Sequence, residues 1–540
     1  MIENTTKKFL VIALLTFLNL SYVFPQTNSI KIIPKPEKVI LNGVNITLKK
    51  NIQVYIDPRS TLNMDYVKEV LTDVGFEPLF TNKEKQAGLI LKVSKVVSDG
   101  FEAYELNVEN RSRANRVIAN ANEKTGLIYA LQTLRQLVTK TAAGISIPSC
   151  TISDAPHFSW RAFMLDEGRH FHGKPVVKKL LDEMVRLKLN TFHWHLVDDP
   201  GWRIEIKKYP LLTEVASKGD HTLMKKGLTP ANWDSLYNHK PGKFYTQEDI
   251  KEIVQYADTR GILIIPEIEV PGHASASIYA YPWLGSSSRL TGKPIYGDLY
   301  QVADPKVEGF LHDVLDEIIS LFPSKIVHIG GDEADYKHWK NSSEINAFMK
   351  VNKIPTYTDL QVWAINRMSA YISSKGYRMI GWNEITGDNI RGEAHVESSQ
   401  SEKLAPGTIV QFWDGEVSLI NKAIEKGYEV VNSNRFFTYL DYPYNVTSME
   451  KAYSFNPVPK GIAAKDRHKI LGLGAQMWGE VTPDEERIYY YTFPRLAVFG
   501  ENGWVDPAKK QSYQEFRERF LLIENIWKEK GYIKNQIGKY

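Results

Sequence analysis

The segment Ile326-Val327-His328-Ile329-Gly330-Gly331-Asp332-Glu333 is a short apolar run that ends in two glycines and two adjacent carboxylates. An apolar run of this length, bounded by turn residues, is typical of a buried strand. Seven similar runs occur along the chain, most of them separated by stretches with helical spacing. They lie at residues 163–165, 191–196, 262–265, 379–382, 409–413, 430–431 and 470–473. This alternation predicts parallel strands joined by helices.

Eight such units in about 350 residues predict a closed (β/α)₈ TIM barrel, which we assign to residues 156–505 as the catalytic domain. Helices are expected at residues 176–187, 247–259, 305–321, 358–375 and 419–426. An open, doubly wound sheet is the alternative. That fold would carry a glycine-rich phosphate-binding turn after its first strand, and Asp166-Glu167-Gly168-Arg169 is not such a turn.

The segments before and after the barrel are predicted to fold as two further structural units. Residues 27–155 predict a small non-catalytic α+β domain, with strands at 54–56, 89–93 and 104–108 and a helix near 127–138. Residues 506–540 predict a C-terminal helix that packs on the barrel, because its apolar side chains share one stripe. These are Phe516, Phe520, Ile523 and Trp527.

The N-terminus has the order of an export signal. Lys7 and Lys8 precede an apolar run at residues 9–18 that is too short to span a bilayer comfortably. We therefore expect residues 1–26 to be a signal peptide and the protein to be secreted or periplasmic. An uncleaved anchor is the alternative.

Composition narrows the function class. Hydrophobic residues make up 43% and charged residues 24% of the 540-residue chain, which excludes a disordered or fibrous protein. A net charge of +4 argues against a nucleic-acid partner. The 12 Trp, 28 Tyr and 22 Phe indicate either large cores or surfaces that stack on sugars. The single cysteine, Cys150, forms no internal disulfide and is expected to be an inert buried residue.

In a barrel enzyme, catalytic groups lie just past the C-terminal ends of the strands. Polar and aromatic residues occupy that position on all eight predicted strands, although any one of them could be a solvated carboxylate or a core tryptophan. In strand order they are Asp166 and Arg169; Asp198 and Asp199; Glu267, Glu269 and His273; Asp332 and Glu333; Trp382 and Glu384; Trp413 and Asp414; Tyr439 and Asp441; Trp478 and Glu480. The convergence predicts an active site at this face.

The residue types indicate acid–base chemistry on a sugar. Two like charges held close raise one pKa, so one member of the pair Asp332–Glu333 can act as a protonated acid while its neighbour stays ionised. Three tryptophans would wall the pocket and five polar side chains would bind hydroxyl groups at its rim. The walls are Trp382, Trp413 and Trp478, and the rim is Arg169, Asp198, His273, Asp441 and Glu480.

A metal centre is the competing interpretation, because His193 and His195 form a His-x-His pair like that of metal-dependent barrel hydrolases. Both positions fall on one face of the second strand, before its end and inside the barrel, and no histidine ends strands five, six or eight. We therefore predict a packed, hydrogen-bonded structural pair at His193 and His195.

The strand-end motifs resemble those of the β-N-acetylhexosaminidases of glycoside hydrolase family twenty, over about residues 30–510. The matching motifs are Leu165-Asp166-Glu167-Gly168-Arg169-His170-Phe171, His193-Trp194-His195-Leu196-Val197-Asp198-Asp199, Pro266-Glu267-Ile268-Glu269-Val270-Pro271-Gly272-His273, His328-Ile329-Gly330-Gly331-Asp332-Glu333, Gly381-Trp382-Asn383-Glu384, Tyr439-Leu440-Asp441 and Met477-Trp478-Gly479-Glu480.

The resemblance implies substrate-assisted, retaining hydrolysis of a glycan that ends in β-GlcNAc or β-GalNAc, with the substrate's own 2-acetamido group as nucleophile. It also implies that no metal or organic cofactor is needed. It implies that Glu333 is the general acid/base, that Asp332 orients the acetamido group and that Tyr439 donates a hydrogen bond to its oxygen. By the same resemblance, the pocket walls are Trp382, Trp413 and Trp478, and the outer hydroxyls of the sugar are bound by Arg169, Asp441 and Glu480. The supporting polar groups near the acid/base are Asp198 and His273.

Two loops depart from the family pattern, and both are expected to border the leaving group. Residues 240–246 read Lys-Pro-Gly-Lys-Phe-Tyr-Thr where a glycine-rich turn is common, and the loop 282–300 has its own sequence. Two alternatives stay open at this point. One is the release of a β-linked disaccharide, as lacto-N-biosidases do. The other is a secreted glycan-binding barrel without catalysis, although that protein would be expected to have lost Glu333, Asp332 or Tyr439.

Overall fold

The computed structural model describes residues 30–110, 115–221, 241–287, 297–388, 397–399 and 403–534. The expected signal peptide, residues 1–26, lies outside these residues, as do residue 240 and residues 288–296 of the two unusual loops. Among the described residues, no helix combines the length and the apolar character that a membrane span requires.

The N-terminal part contains two sheets and two helices, as the α+β prediction requires. The helices are Met64–Asp73 and Lys124–Leu137. The strands are β1 Lys38–Leu41, β2 Ile46–Leu48, β3 Asn51–Ile56, β4 Glu77–Phe80, β5 Leu89–Val93, β6 Tyr104–Glu109, β7 Arg116–Ala121, β8 Thr139–Thr141, β9 Gly144–Ile147 and β10 Cys150–Asp154. Seven of them form a mixed sheet in the order β1-β10-β6-β7-β5-β3-β4, and the other three form the sheet β2-β9-β8. Cys150 is buried, and burial raises the pKa of its thiol to about 11, which agrees with an inert residue.

The second part is a closed barrel of eight parallel strands, and this confirms the predicted fold. All eight predicted runs are strands of the barrel. They are β11 Trp160–Asp166, β12 Thr191–His195, β15 Leu263–Glu267, β16 Ile326–His328, β17 Arg378–Trp382, β18 Ile409–Phe412, β19 Glu429–Asn432 and β20 Ile470–Met477. A short hairpin, β13 Val197–Asp198 and β14 Gly201–Trp202, follows β12. The barrel closes because β11 pairs with β12 on one side and with β20 on the other.

Helices separate most of the barrel strands, and the five predicted ones occur with bounds shifted by at most two residues. The described helices of this part are Lys174–Arg186, Leu211–Glu214, Gln247–Asp258, Ser275–Ala280, Pro305–Leu321, Lys337–Lys340, Ser343–Asn352, Tyr357–Ser374, Ser418–Glu425, Arg435–Thr438, Met449–Tyr453, Glu485–Thr492, Arg495–Trp504 and Tyr513–Glu529. Local chemistry defines their ends. Thr246, for example, forms a capping box with Asp249 at the start of the helix from Gln247.

The barrel interior is filled by side chains in two layers. Apolar residues of six strands make the lower layer, and they are Trp160, Ala162, Ile265, Ile326, Ile380, Ile409 and Val431. The upper layer, toward the C-terminal ends of the strands, is aromatic and is described with the site. The lower layer is a packed core, so only the upper end is available for a ligand.

Buried ion pairs join the two parts of the chain. Arg161 of β11 donates to both oxygens of Glu102, at 2.9 and 2.6 Å, and Lys188 Nζ contacts Asp154 Oδ2 at 2.8 Å. The C-terminal helix packs on the barrel as predicted. Its four apolar stripe residues are fully buried, and Trp527 Nε1 donates to Glu183 Oε2 of a barrel helix at 2.8 Å.

Candidate active site

The acid pair stands where β16 has just ended. Gly330 and Gly331 have φ values of 64° and 98°, so the chain turns out of the strand there. A Cβ at residue 330 would lie 1.6 Å from Glu269 Oε2, so a larger residue would have to displace the buried side chain of Glu269. Glu333 has a φ of 48°, a costly conformation for a residue with a side chain and one that is concentrated at functional sites.

The two carboxylates occupy different environments. Asp332 is 6% exposed, whereas the side chain of Glu333 is exposed. Burial raises the pKa of Asp332 to about 7; the positive charge of His273 opposes this effect and the charge of Glu333 adds to it. The two carboxylates therefore differ in their exposure to water, and the sequence analysis likewise expects unequal roles for them. The raised pKa belongs to Asp332, because Asp332 is the member removed from water, whereas the residue that the family resemblance makes the acid, Glu333, is exposed.

His273 connects the acid pair to the end of β12. Its Nδ1 lies 3.2 Å from Asp199 Oδ2, and its Nε2 lies 3.9 Å from Asp332 Oδ2. Burial acts to lower the pKa of His273, but the carboxylates of Asp198 and Asp199 raise it well above its ordinary value. His273 thus lies between Asp199 and Asp332, where the neighbouring carboxylates favour its protonated form.

Asp199 was recognised in the sequence as a strand-end residue but received no role. In the structure it makes the shorter contact to His273, since Asp198 Oδ1 lies 3.7 Å from the same nitrogen. Asp198 Oδ2 instead contacts Arg169 at 2.9 Å and His195 at 3.0 Å. Its strand-end position and its place in the motif that ends Asp198-Asp199 are the sequence signals that point to Asp199.

Aromatic side chains from β17 to β20 form the upper layer of the barrel. Trp382, Trp413, Tyr439 and Trp478 cluster with Met164 and are at most 9% exposed. The rings of Trp413 and Tyr439 are stacked, with centroids 6.3 Å apart and an interplanar angle of 9°. The three tryptophans predicted as walls therefore lie together, and Tyr439 completes the set.

Buried carboxylates orient two of these tryptophans. The indole N–H of Trp382 donates to Glu267 Oε1 at 3.0 Å, and that of Trp413 donates to Glu384 Oε2 at 2.9 Å. Burial, together with the charge of Asp332, raises the pKa of Glu384 well above its ordinary value. Glu267 and Glu384 were strand-end residues in the sequence, but their function as acceptors depends on which strand lies beside which.

The polar rim is organised around Arg169. Its Nη1 contacts Asp166 Oδ2 at 2.8 Å and Asp198 Oδ2 at 2.9 Å, and its Nε lies 3.2 Å from Glu480 Oε1. The guanidinium also lies 5.0 Å from the ring centroid of Trp478. Asp441 belongs to the same group electrostatically, because burial and the charge of Glu480 raise its pKa to about 7. Arg169 and Glu480 are therefore in contact, and the charges of both act on Asp441, while the binding of outer hydroxyls by these three residues stays a prediction.

The His-x-His pair is buried inside the barrel. His193 Nε2 and His195 Nδ1 lie 2.7 and 2.5 Å from Glu267 Oε2, and His328 Nδ1 lies 2.8 Å from Glu267 Oε1. By distance, one ion could contact His193, Glu267 and His328 together. In the structure these groups also contact one another directly, and the structural interpretation of the pair stays a prediction.

The fold and this site define a class of enzyme, the glycoside hydrolases, because acid–base carboxylates at the C-terminal face of a barrel adjoin aromatic walls and a polar rim. Comparison with known proteins agrees. The family model "Glycosyl hydrolase family 20, catalytic domain" matches residues 158–507, and "Glycosyl hydrolase family 20, domain 2" matches residues 29–155.

Named relatives carry the same activity class. A beta-hexosaminidase of Vibrio furnissii is 34% identical over 77% of this chain and 67% of its own length, and one of Porphyromonas gingivalis is 35% identical over 73% of this chain and half of its own length. The crystal structure of a family 20 exo-β-N-acetylglucosaminidase of Vibrio harveyi, in complex with N-acetylglucosamine, is 28% identical with a TM-score of 0.79. That match covers 93% of this chain and 78% of the Vibrio harveyi chain.

The chain therefore belongs to glycosyl hydrolase family 20 and is a glycoside hydrolase of the β-N-acetylhexosaminidase type. The catalytic-domain model covers every strand-end residue assigned above.

Proposed function

We propose that the protein is an exo-acting, retaining β-N-acetylhexosaminidase that removes terminal, non-reducing β-linked GlcNAc or GalNAc. The observation that carries the proposal is the unequal pair at the end of β16: a buried Asp332 beside an exposed Glu333. Enzymes of this family depart from the usual scheme of two catalytic carboxylates, because the 2-acetamido group of the substrate is the nucleophile.

In the first step, Glu333 donates its proton to the glycosidic oxygen while the acetamido oxygen attacks the anomeric carbon. The bond to the leaving group breaks and an oxazolinium ion forms. Asp332 accepts the acetamido N–H and, when ionised, balances the positive charge of this intermediate. Tyr439 donates its hydroxyl hydrogen to the acetamido oxygen. In the second step, Glu333 takes a proton from the water that attacks the anomeric carbon, the ring opens, and the configuration is retained after two inversions.

The polar rim supports exo action. Arg169 is held by Asp166, Asp198 and Glu480, so its guanidinium is fixed before a substrate binds. A fixed cation beside Asp441 and Glu480 suits the outer hydroxyls of a terminal sugar. The Vibrio harveyi structure described above is of an exo-enzyme with bound N-acetylglucosamine, which adds support from a relative.

The test is product analysis with purified protein on a panel of defined glycans that end in β-GlcNAc or β-GalNAc. We expect a free monosaccharide whose first-formed anomer, followed by NMR, is β. A thiazoline mimic of the oxazolinium should bind much more tightly than GlcNAc, because intermediate mimics capture transition-state complementarity. Release of a disaccharide would contradict exo action of this kind, and rapid turnover of β-glucosides, which lack the acetamido group, would contradict the mechanism.

We also propose that the chain is exported, since Lys7 and Lys8 precede a short apolar run. The N-terminal sequence of the mature protein, isolated from the culture fluid or the periplasm of an expressing bacterium, tests this. Recovery of residue 1 in a membrane fraction would contradict it.

A further inference from the structure

Glu267 is the last residue of β15 and is fully buried. Both of its carboxylate oxygens are engaged. Oε1 accepts from the indole N–H of Trp382 at 3.0 Å, and Oε2 lies 2.5 Å from His195 Nδ1. Neither contact belongs to the acid–base step, so the mechanism above does not use this carboxylate directly.

The two oxygens of Glu267 connect to two different parts of the site. On one side the contact is direct, because Trp382 is itself a wall. On the other side the contacts continue from His195 Nε2 to Asp198 Oδ2 at 3.0 Å, and from Asp198 Oδ2 to Arg169 Nη1 at 2.9 Å. His195, Asp198 and Trp382 are at most 2% exposed, so water does not compete for these hydrogen bonds.

We propose that Glu267 is a positioning residue that fixes the aromatic wall at Trp382 and the hydroxyl-binding Arg169 relative to each other. This inference rests on the proposed function, because the two sides are assigned to the acetamido group and to the outer hydroxyls of one sugar. A carboxylate can accept on both oxygens at once. A glutamine of the same shape accepts on one oxygen only and presents N–H groups at the other position, so it cannot accept from both Trp382 and a His195 that donates through Nδ1.

The direct test is Glu267→Gln, with Glu183→Gln as the matched control. Glu183 is also fully buried and also accepts from a tryptophan, since Trp527 Nε1 donates to it at 2.8 Å, but it lies on an outer helix of the barrel. For Glu267→Gln we expect kcat/KM on a β-GlcNAc substrate to fall about 10²-fold, because small misplacements of a site have effects of that size. Glu183→Gln should lower the unfolding midpoint and leave kcat/KM unchanged.

Selectivity for the acyl group distinguishes positioning from simple destabilisation. A correctly placed Trp382 should favour N-acetyl over the larger N-propionyl substrate, and Glu267→Gln should reduce that preference. Trp382→Phe keeps an aromatic ring but removes the N–H donor, so it should reduce the same preference. This variant keeps the test available if Glu267→Gln does not fold. An unchanged acyl preference in Trp382→Phe would overturn the inference.

Double-mutant cycles test the connection to each side. One cycle combines Glu267→Gln with Trp382→Phe, and the other combines Glu267→Gln with Asp198→Asn. If Glu267 acts through Trp382 and through Asp198, the fold-loss of kcat/KM in each double variant should be smaller than the product of the two single fold-losses. We expect the difference to be at least about fivefold. Multiplicative losses in both cycles would overturn the inference. The experiment distinguishes failure of this inference from failure of the proposed function. An inactive wild-type protein contradicts the proposed function. An active wild type together with an equally active Glu267→Gln variant contradicts only the positioning role of Glu267.

Discussion

Asp332 should make the protein less stable as the pH rises, and replacing it with Asn should remove this effect. Burial raises the pKa of Asp332 from 3.8 to about 7, so between these values the folded protein holds a proton that the unfolded chain has released. Stability is therefore lost as the pH increases through this range. A difference of about 3 in pKa corresponds to about 4 kcal/mol in favour of the unfolded state once Asp332 is ionised in both states.

The measurement is urea unfolding of wild type and Asp332→Asn at pH 5, 6, 7 and 8. Asn has the shape of the protonated acid and does not titrate. We therefore expect the variant's advantage in unfolding free energy to grow by about 2–3 kcal/mol between pH 5 and pH 8. Hydrolysis should be strongly impaired in the same variant, because Asn cannot balance the charge of the oxazolinium.

Asp166→Asn is the matched control. Burial acts to raise the pKa of Asp166, but the charge of Arg169 and its hydrogen bonds lower it to about 2. Asp166 is ionised in both the folded and the unfolded state from pH 5 to pH 8, so Asp166→Asn should reduce stability by an amount that does not vary with pH in this range. A pH-independent difference for Asp332→Asn, or one that shrinks as the pH rises, would refute the reasoning.

Three other predictions concern the acid, a wall and the domain interface. Glu333→Gln should lower turnover by about 10²–10⁴-fold on substrates with poor leaving groups, and less in the first step on activated ones, which a leaving-group series measures. Trp382→Ala should remove on the order of 2–3 kcal/mol of aromatic burial, or about 30- to 150-fold in kcat/KM if the wall acts in the transition state. Glu102→Gln leaves the buried Arg161 without its ion pair, so unfolding free energy should fall by about 3–5 kcal/mol while kinetics at 25 °C stay unchanged.

Each of these predictions has a result that contradicts it. Equal losses across the leaving-group series would remove the acid role from Glu333. If Trp382→Ala leaves the kinetic constants unchanged but greatly lowers the free energy of unfolding, then Trp382 serves only as a core residue. Changed kinetic constants in folded Glu102→Gln would mean that the interface with the N-terminal domain influences the site.

Much of the fold and the membership of the site could be predicted from the sequence. The eight apolar runs are all barrel strands, because buried parallel strands must be apolar whatever their neighbours are. The C-terminal ends of parallel strands meet at one face, so the residues that follow them had to converge there. Asp332, Trp382, Trp413, Tyr439 and Trp478 could therefore be named without coordinates.

The partners within the site were decided only by the tertiary structure. Asp198 and Asp199 are equivalent in sequence, yet Asp199 makes the short contact to His273 while Asp198 contacts Arg169. The sequence also does not show the raised pKa of Asp332, or that Glu267 contacts Trp382 through one oxygen and His195 through the other. The pattern of apolar runs in the sequence predicts which residues lie at the end of a strand. Contact distances and burial depend on the register between strands that are distant in the chain and on the direction each side chain takes, and neither is a property of local sequence.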